Sequence, residues 1–189
     1  MSIDVGLTFE QLQSIYEGLR NEPGMLRIIT YDDVIEAGNI MEIFDGHRCL
    51  IIFYPAFTTG NMTDGHFIAL VNPDVKNRLD YFDPLSYTID GYKKKTPMRN
   101  QLYNEEKNSL VKHLIDLKNK LPKIKIHYNS VPTQSRSPTI ATCGAWCVLR
   151  CFMSELTNEQ FMKVVKQLAN EYLYKDLDRL VFDLTKKFR

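Results

Sequence analysis

The stretch from Cys143 to Leu156 constrains this chain more than any other, because it is apolar nearly all round. A helix without a polar face must be covered on every side, so the fold has to build layers around this segment. The 189 residues suffice for that, and the chain reads as one domain spanning 1–189, with no repeat, low-complexity stretch or long linker to divide it.

The surrounding layers follow from periodicity. Thr8 and Gln11 form a capping box opening a helix to about Arg20, with Phe9, Leu12, Ile15, Tyr16 and Leu19 on one face. Leu26 to Tyr31 is β-prone, and Asp32 to Ala37 reads as a helical turn. Met41 to Phe44, the pair Asp45-Gly46 and Arg48 to Tyr54 predict a strand, a turn and a second strand ended by Pro55. A polar loop from Thr58 to Gly65 precedes two further strands, His66 to Val71 and Leu79 to Phe82. The three strands from Arg48 onward read as neighbours in one sheet covered on both faces.

From about Asn104 to Leu121 the pattern becomes helical, with Leu110, Val111, Leu114, Leu117 and Leu121 as its stripe. Ile124, Ile126 and Tyr128 alternate with Lys123, Lys125 and His127, which predicts a half-buried strand. A loop through Pro132, Gln134 and Pro138 leads into the Cys143 helix. Thr157 and Gln160 cap the next helix, and Leu177, Leu180, Val181, Leu184 and Phe188 mark the last. Helix, sheet, helix, strand, helices is the order of an α+β domain, a central β-sheet flanked by helices.

Composition excludes some functions. Lys and Arg number 24 against 23 Asp and Glu, so the net charge of +1 gives no global pull toward nucleic acid. The clusters Lys93, Lys94, Lys95 and Lys186, Lys187, Arg189 read as solvated surface. Met1-Ser2-Ile3-Asp4 lacks the features of a signal peptide, and no apolar run approaches the ~20 residues of a membrane span, so a soluble protein is expected. Of four cysteines, Cys143, Cys147 and Cys151 recur at a four-residue step that stacks them along one helix face. With Cys49 they read as reduced thiols rather than a disulfide framework, and as core rather than a zinc site, which would need a second ligand pair. No metal is expected.

Cys143 opens its helix, where backbone N–H groups and the helix dipole favour a thiolate. Gly144 beside it would let a substrate backbone approach. Taken alone, Cys143 reads first as a buried structural cysteine near a helix start. His66 opens an apolar strand at the sheet edge and is a candidate base for that thiol. His47 in a turn, His113 in mid-helix and His127 on a charged strand face are poorer candidates. Asp83 ends the strand after that of His66 and would orient the imidazole, with Asp80 and Asp74 as rivals. Gln134, in the loop before Cys143, offers an uncharged donor for an oxyanion.

Gly65-His66-Phe67-Ile68-Ala69-Leu70, Tyr81-Phe82-Asp83-Pro84-Leu85, Gln134 and Ala141-Thr142-Cys143-Gly144-Ala145-Trp146-Cys147 resemble, in order and spacing, the adenovirus-type maturation proteases. That family stands with the ubiquitin-like-protein (SUMO) proteases, and the likeness covers about Cys49 to Met153. It implies a papain-like, ubiquitin-like-protease fold in which Cys143 is nucleophile, His66 base, Asp83 orienting acid and Gln134 oxyanion donor. It also implies a thiol protease that processes viral capsid or core precursors after glycine during virion maturation. Narrow channels admitting glycine are typical of such enzymes, and Phe67 and Trp146 are candidates to pack beside one here, although core packing is the first reading of each.

Departures refine this expectation. Phe67 stands where Trp is frequent, and Asp83 resembles the SUMO-protease choice rather than the adenovirus Glu. No cysteine lies from Pro84 to Thr142, so activation by a disulfide-linked peptide is not expected, nor is any cofactor. The near-neutral charge gives little support to activation by nucleic acid. The small size resembles enzymes of virophages and related DNA viruses, which implies a monomer working in the virion and in the host cell, in a cytoplasmic virus factory or the nucleus. A deubiquitinating or deSUMOylating isopeptidase on the same fold remains open, as does a non-catalytic binding module.

Overall fold

The computed structural model describes residues 6–20, 25–55, 65–74, 77–89, 91, 109–137 and 140–188. Five strands form one sheet in sequential order: β1 (Leu26–Thr30), β2 (Cys49–Pro55), β3 (Gly65–Asp74), β4 (Arg78–Phe82) and β5 (Lys125–Tyr128). The central three run antiparallel, while β1 and β5 lie parallel to their neighbours at the two edges. The helices are α1 (Phe9–Arg20), α2 (Tyr31–Glu36), α3 (Ile40–Phe44), α4 (Leu110–Lys120), α5 (Cys143–Phe152), α6 (Asn158–Glu171) and α7 (Leu177–Thr185). The fold is mixed α+β.

Strand residues alternate between two cores because side chains leave a strand with a period of two. Cys49, Ile51, Phe67, Ala69, Val71 and Phe82 meet α1, α5, α6 and α7, with Trp146 and Tyr16 fully buried among them. Leu50, Ile52, Ile68, Leu70, Leu79 and Tyr81 face the opposite way onto α2, α3 and α4. This double coverage is why β2 and β3 are nearly continuous apolar runs. The capping boxes predicted for α1 and α6 are both present: Gln11 and Gln160 each accept from the backbone of their threonine, at 2.9 Å.

Arg150 is the one charge on the otherwise apolar α5, and it is fully buried. It donates to Asp80 at 2.6 Å, to Asn158 Oδ1 at 2.8 Å and to the carbonyls of Met153 and Leu156. Asn158 in turn donates to the Tyr81 carbonyl at 3.0 Å. A buried guanidinium is tolerated only when paired and hydrogen-bonded in this way, and the result locks α5 and α6 against β4.

Two expectations need correction. Met41 to Phe44 is not a strand but part of α3, because Asn39 caps it by accepting from the Met41 and Glu42 amides. Asp45 and Gly46, read as a hairpin turn, instead end this helix in the left-handed region, at φ 48° and 79°. The strand after Ile124 is less buried than its alternation suggested. Ile124 is inside, but β5 is an edge strand and Tyr128 is 67% exposed.

Readings on residues 1–4, 58–64, 93–95, 104–108, 138 and 189 fall outside the described residues. Among the described residues, no helix is long and apolar enough to cross a membrane.

Candidate active site

Because β3 and β4 run antiparallel, the start of one lies beside the end of the other. That brings His66, the second residue of β3, to Asp83, just past β4. His66 Nε2 donates to Asp83 Oδ1 at 2.8 Å, with both side chains buried. The Leu85 amide donates to the same oxygen at 2.7 Å. Asn129, beyond β5, holds the Asp83 backbone from both sides, accepting from its N–H at 2.9 Å and donating to its carbonyl at 2.6 Å. The carboxylate is thus set by His66 and by the turn that follows Asp83, and its backbone by Asn129.

The central helix α5 starts at Cys143, which is half-buried. His66 also hydrogen-bonds this thiol, and since Nε2 is committed to Asp83, Nδ1 is the nitrogen facing the sulfur. Burial acts against charge on both groups, pulling the imidazole down and the thiol up. Pairing overrides it. Asp83 and Cys143 together hold His66 up at about 10. His66, with the Phe67 and Gly144 amides, brings the Cys143 thiol below its usual range. Both shifts act in the direction of a thiolate beside an imidazolium. Cys147, one turn along, shows the contrast: burial, then the nearby Cys143 and Asp83 charges, push its thiol well up. Cys151 is likewise raised by burial, next to Cys49.

Gln134 is buried, and its Nε2 donates to the Ile140 carbonyl at 2.9 Å, which uses one of the two amide hydrogens. The Pro84 carbonyl accepts from the Thr133 and Gln134 amides at 2.8 and 3.0 Å, tying this loop to the segment after Asp83. Cys143, His66 and Gln134 line one cavity of about 800 Å³, and Asp83 stands behind His66. The structure therefore brings the four sequence-selected residues to one place.

The rivals lie elsewhere. Asp80 is occupied by Arg150 and Arg78, and Asp74 pairs across from Arg78 at the far end of β3. His47 contacts the Phe44 and Asp45 carbonyls, His113 is buried against the Val34 carbonyl, and His127 is exposed on β5.

Other residues of the cavity carry no sequence signal. Phe9 and Phe53 join Phe67 in an aromatic wall, with ring centroids 4.7 Å apart for Phe53 and Phe67, and 5.9 and 6.1 Å from Phe9 to each. Tyr87 meets the His66 ring edge-on at 6.0 Å. Trp146 is not at the cavity; it lies in the core, donating to Asp178 at 2.8 Å. Gly65 is required by packing, since a Cβ there would fall 2.2 Å from the Phe53 ring and 2.6 Å from the Tyr54 carbonyl. At Gly144 a Cβ would meet Leu12 at 2.9 Å and Phe67 at 3.3 Å, so close packing of α1 and β3 on the helix explains this glycine.

No family model matches the chain. It is similar to the uncharacterized protein V9 of Sputnik virophage, 27% identical over 145 residues, which cover 77% of this chain and 78% of that one. Among solved structures it is similar to the ASFV pS273R protease, with a TM-score of 0.49 and 11% identity over 84% of this chain. It is also similar to the SUMO protease Ulp1, with a TM-score of 0.43 and 10% identity, covering 97% of this chain and 80% of that one. The effector protein Cdu1 of Chlamydia trachomatis, solved bound to ubiquitin, gives a TM-score of 0.41 and 17% identity, covering 98% and 82%. The chain spans 61% of the length of the ASFV protease.

Proposed function

We propose that residues 1–189 form a single cysteine endopeptidase domain with Cys143 as nucleophile, His66 as base and acid, Asp83 as orienting carboxylate and Gln134 as oxyanion donor. The observation that carries this reading is the continuous line Cys143–His66–Asp83 at the wall of an open cavity. The thiolate adds to the scissile carbonyl, and the oxyanion is met by the Cys143 N–H, which as a first-turn amide has no acceptor within its helix, and by the second amide hydrogen of Gln134. Imidazolium Nδ1–H protonates the leaving amine, giving a thioester. His66 then takes a proton from water, which hydrolyses the thioester and restores the thiol pair.

The substrate reading rests on the wall of Phe9, Phe53 and Phe67 with Gly65 and Gly144. Aromatic rings walling the approach to Cys143 would exclude larger side chains, so glycine before the scissile bond is the proposed preference. Likeness to a virophage protein supports a viral setting; the proposed substrate is a viral capsid or core precursor, processed by a monomer in the virion or the infected cell without a cofactor. The same glycine preference would serve an isopeptidase acting on ubiquitin-like conjugates. Digestion of a peptide library tests the channel: cleavage after Gly and little after Leu or Phe is expected, and efficient cutting after bulky residues overturns it. Parallel digestion of capsid precursors and of ubiquitin or SUMO conjugates separates the two roles.

A further inference from the structure

Asp178, on α7, is 2% exposed and has no cation beside it among the contacts described, yet three groups from two other chain segments donate to it. Its Oδ2 accepts from the Ser135 backbone N–H at 2.8 Å. Its Oδ1 accepts from the Trp146 indole N–H at 2.8 Å and from the Thr142 hydroxyl through a short bond. The backbone of Asp178 is fixed by Asp176, whose side chain caps α7 by accepting from the Asp178 N–H at 2.9 Å.

Each of those partners adjoins the reacting groups. Ser135 follows Gln134, Thr142 precedes Cys143, and Trp146 lies one turn along α5. Thr142 occupies the N-cap position of α5 but makes no side-chain cap bond, because its hydroxyl is turned to Asp178. An N-cap threonine ordinarily accepts from an amide of the first turn, and that arrangement would engage N–H groups at the nucleophile. Asp178 thus ties the Gln134 loop and the start of the Cys143 helix to one buried anchor.

We propose that Asp178 is a positioning residue that sets the spacing of the oxyanion donors, acting through Ser135 and Thr142 rather than on substrate; this rests on the peptidase reading above. Oxyanion stabilisation depends on donors lying within a few tenths of an ångström of the developing charge, so a displaced loop weakens turnover without altering the thiolate. Asp178→Asn separates these effects. The Asn oxygen still accepts from Thr142 and Trp146, but its NH₂ faces the Ser135 N–H, donor against donor, and the tie to the Gln134 loop is lost.

The test compares two rates in the full chain. Hydrolysis of a Gly-Gly peptide coupled to aminocoumarin uses the oxyanion donors, whereas alkylation of Cys143 by iodoacetamide uses only the thiolate. Asp178→Asn is expected to lower kcat at least tenfold, with KM and the alkylation rate and its pH profile within about twofold of the parent. Trp146→Phe, which leaves the Ser135 tie intact, should change kcat less than threefold. Should Asp178→Asn fail to fold, Asp178→Glu, which keeps the charge and moves the carboxylate by one methylene, is expected to show the same split. Equal loss of hydrolysis and alkylation, or unchanged kcat, overturns the role of Asp178. Absence of hydrolysis by the parent protein, with Cys143 still alkylated, overturns the peptidase reading instead.

Discussion

Replacing Asp83 by Asn removes one charge and little else. The Asn oxygen can take the place of Oδ1, accepting from His66 and Leu85, and its NH₂ falls where Oδ2 lies without a hydrogen-bond partner among the described residues. The perturbation is therefore electrostatic. Opposite unit charges 2.8 Å apart attract by roughly 6 kcal/mol at an effective dielectric of about 20. Part of the hydrogen bond survives in the variant, and the Cys143 thiolate still faces the ring. A loss of about 3 kcal/mol is the conservative figure, which lowers the His66 pKa by about 2. His66 is held at about 10, and the protonated ring must supply the leaving amine with its proton. Parent activity should accordingly persist until pH rises toward about 10 and then fall. In Asp83→Asn that alkaline limb should move to about 8 or below, because the folded pKa of His66 drops toward its ordinary value. The assay is kcat against pH with a glycine-containing peptide, accompanied by the pH dependence of Cys143 alkylation. Asp83→Asn should also cost less at pH 7 than His66→Ala, since the carboxylate only orients and stabilises the ring. An alkaline limb unmoved in the variant would refute the electrostatic reasoning.

Arg150→Met should destabilise the fold by about 3–5 kcal/mol in urea melts, because the buried Asp80 would lose its fully buried partner; a loss under 1 kcal/mol would show that Arg78 alone suffices. Gly65→Ala should lower kcat/KM and cost about 1–3 kcal/mol of stability, since the new methyl meets both the Phe53 ring and a backbone carbonyl; an unchanged melt and rate would contradict the close packing. Cys147→Ala should leave alkylation by iodoacetamide at neutral pH intact, because that thiol is buried and its pKa is raised; loss of labelling would move the reactive thiol to Cys147.

Where local chemistry decides structure, the sequence was informative. Thr8 and Thr157 announced their helices through residues three positions on, and the apolar α5 could only be central. The adjacency of His66 and Asp83 was legible because their strands are consecutive, joined through a short connection, and so pair antiparallel. Four residues, Met41 to Phe44, were too few to distinguish a strand period from a helical one, and the decision lay in the Asn39 cap and the left-handed Asp45. Tyr128 continued an alternation whose last position lies at the sheet edge, where burial ends before the pattern does. Asn129 and Asp178 were invisible for a different reason. Each acts across the fold on a segment dozens of positions away, and nothing in its own neighbourhood marks it. Gly144 was noticed for its closeness to the thiol, although its immediate cause is the approach of Leu12 and Phe67.

The central claim is that Cys143, activated by His66, forms a covalent acyl intermediate. Its most direct measurement is intact-protein and peptide mass spectrometry after exposure to a Gly-Gly peptide bearing an electrophilic vinyl ester at its C-terminus. A single adduct on Cys143 is expected in the parent protein at neutral pH, and little or none in His66→Ala or Cys143→Ala. An adduct on Cys49, Cys147 or Cys151, or undiminished labelling of Cys143 in His66→Ala, would contradict that claim.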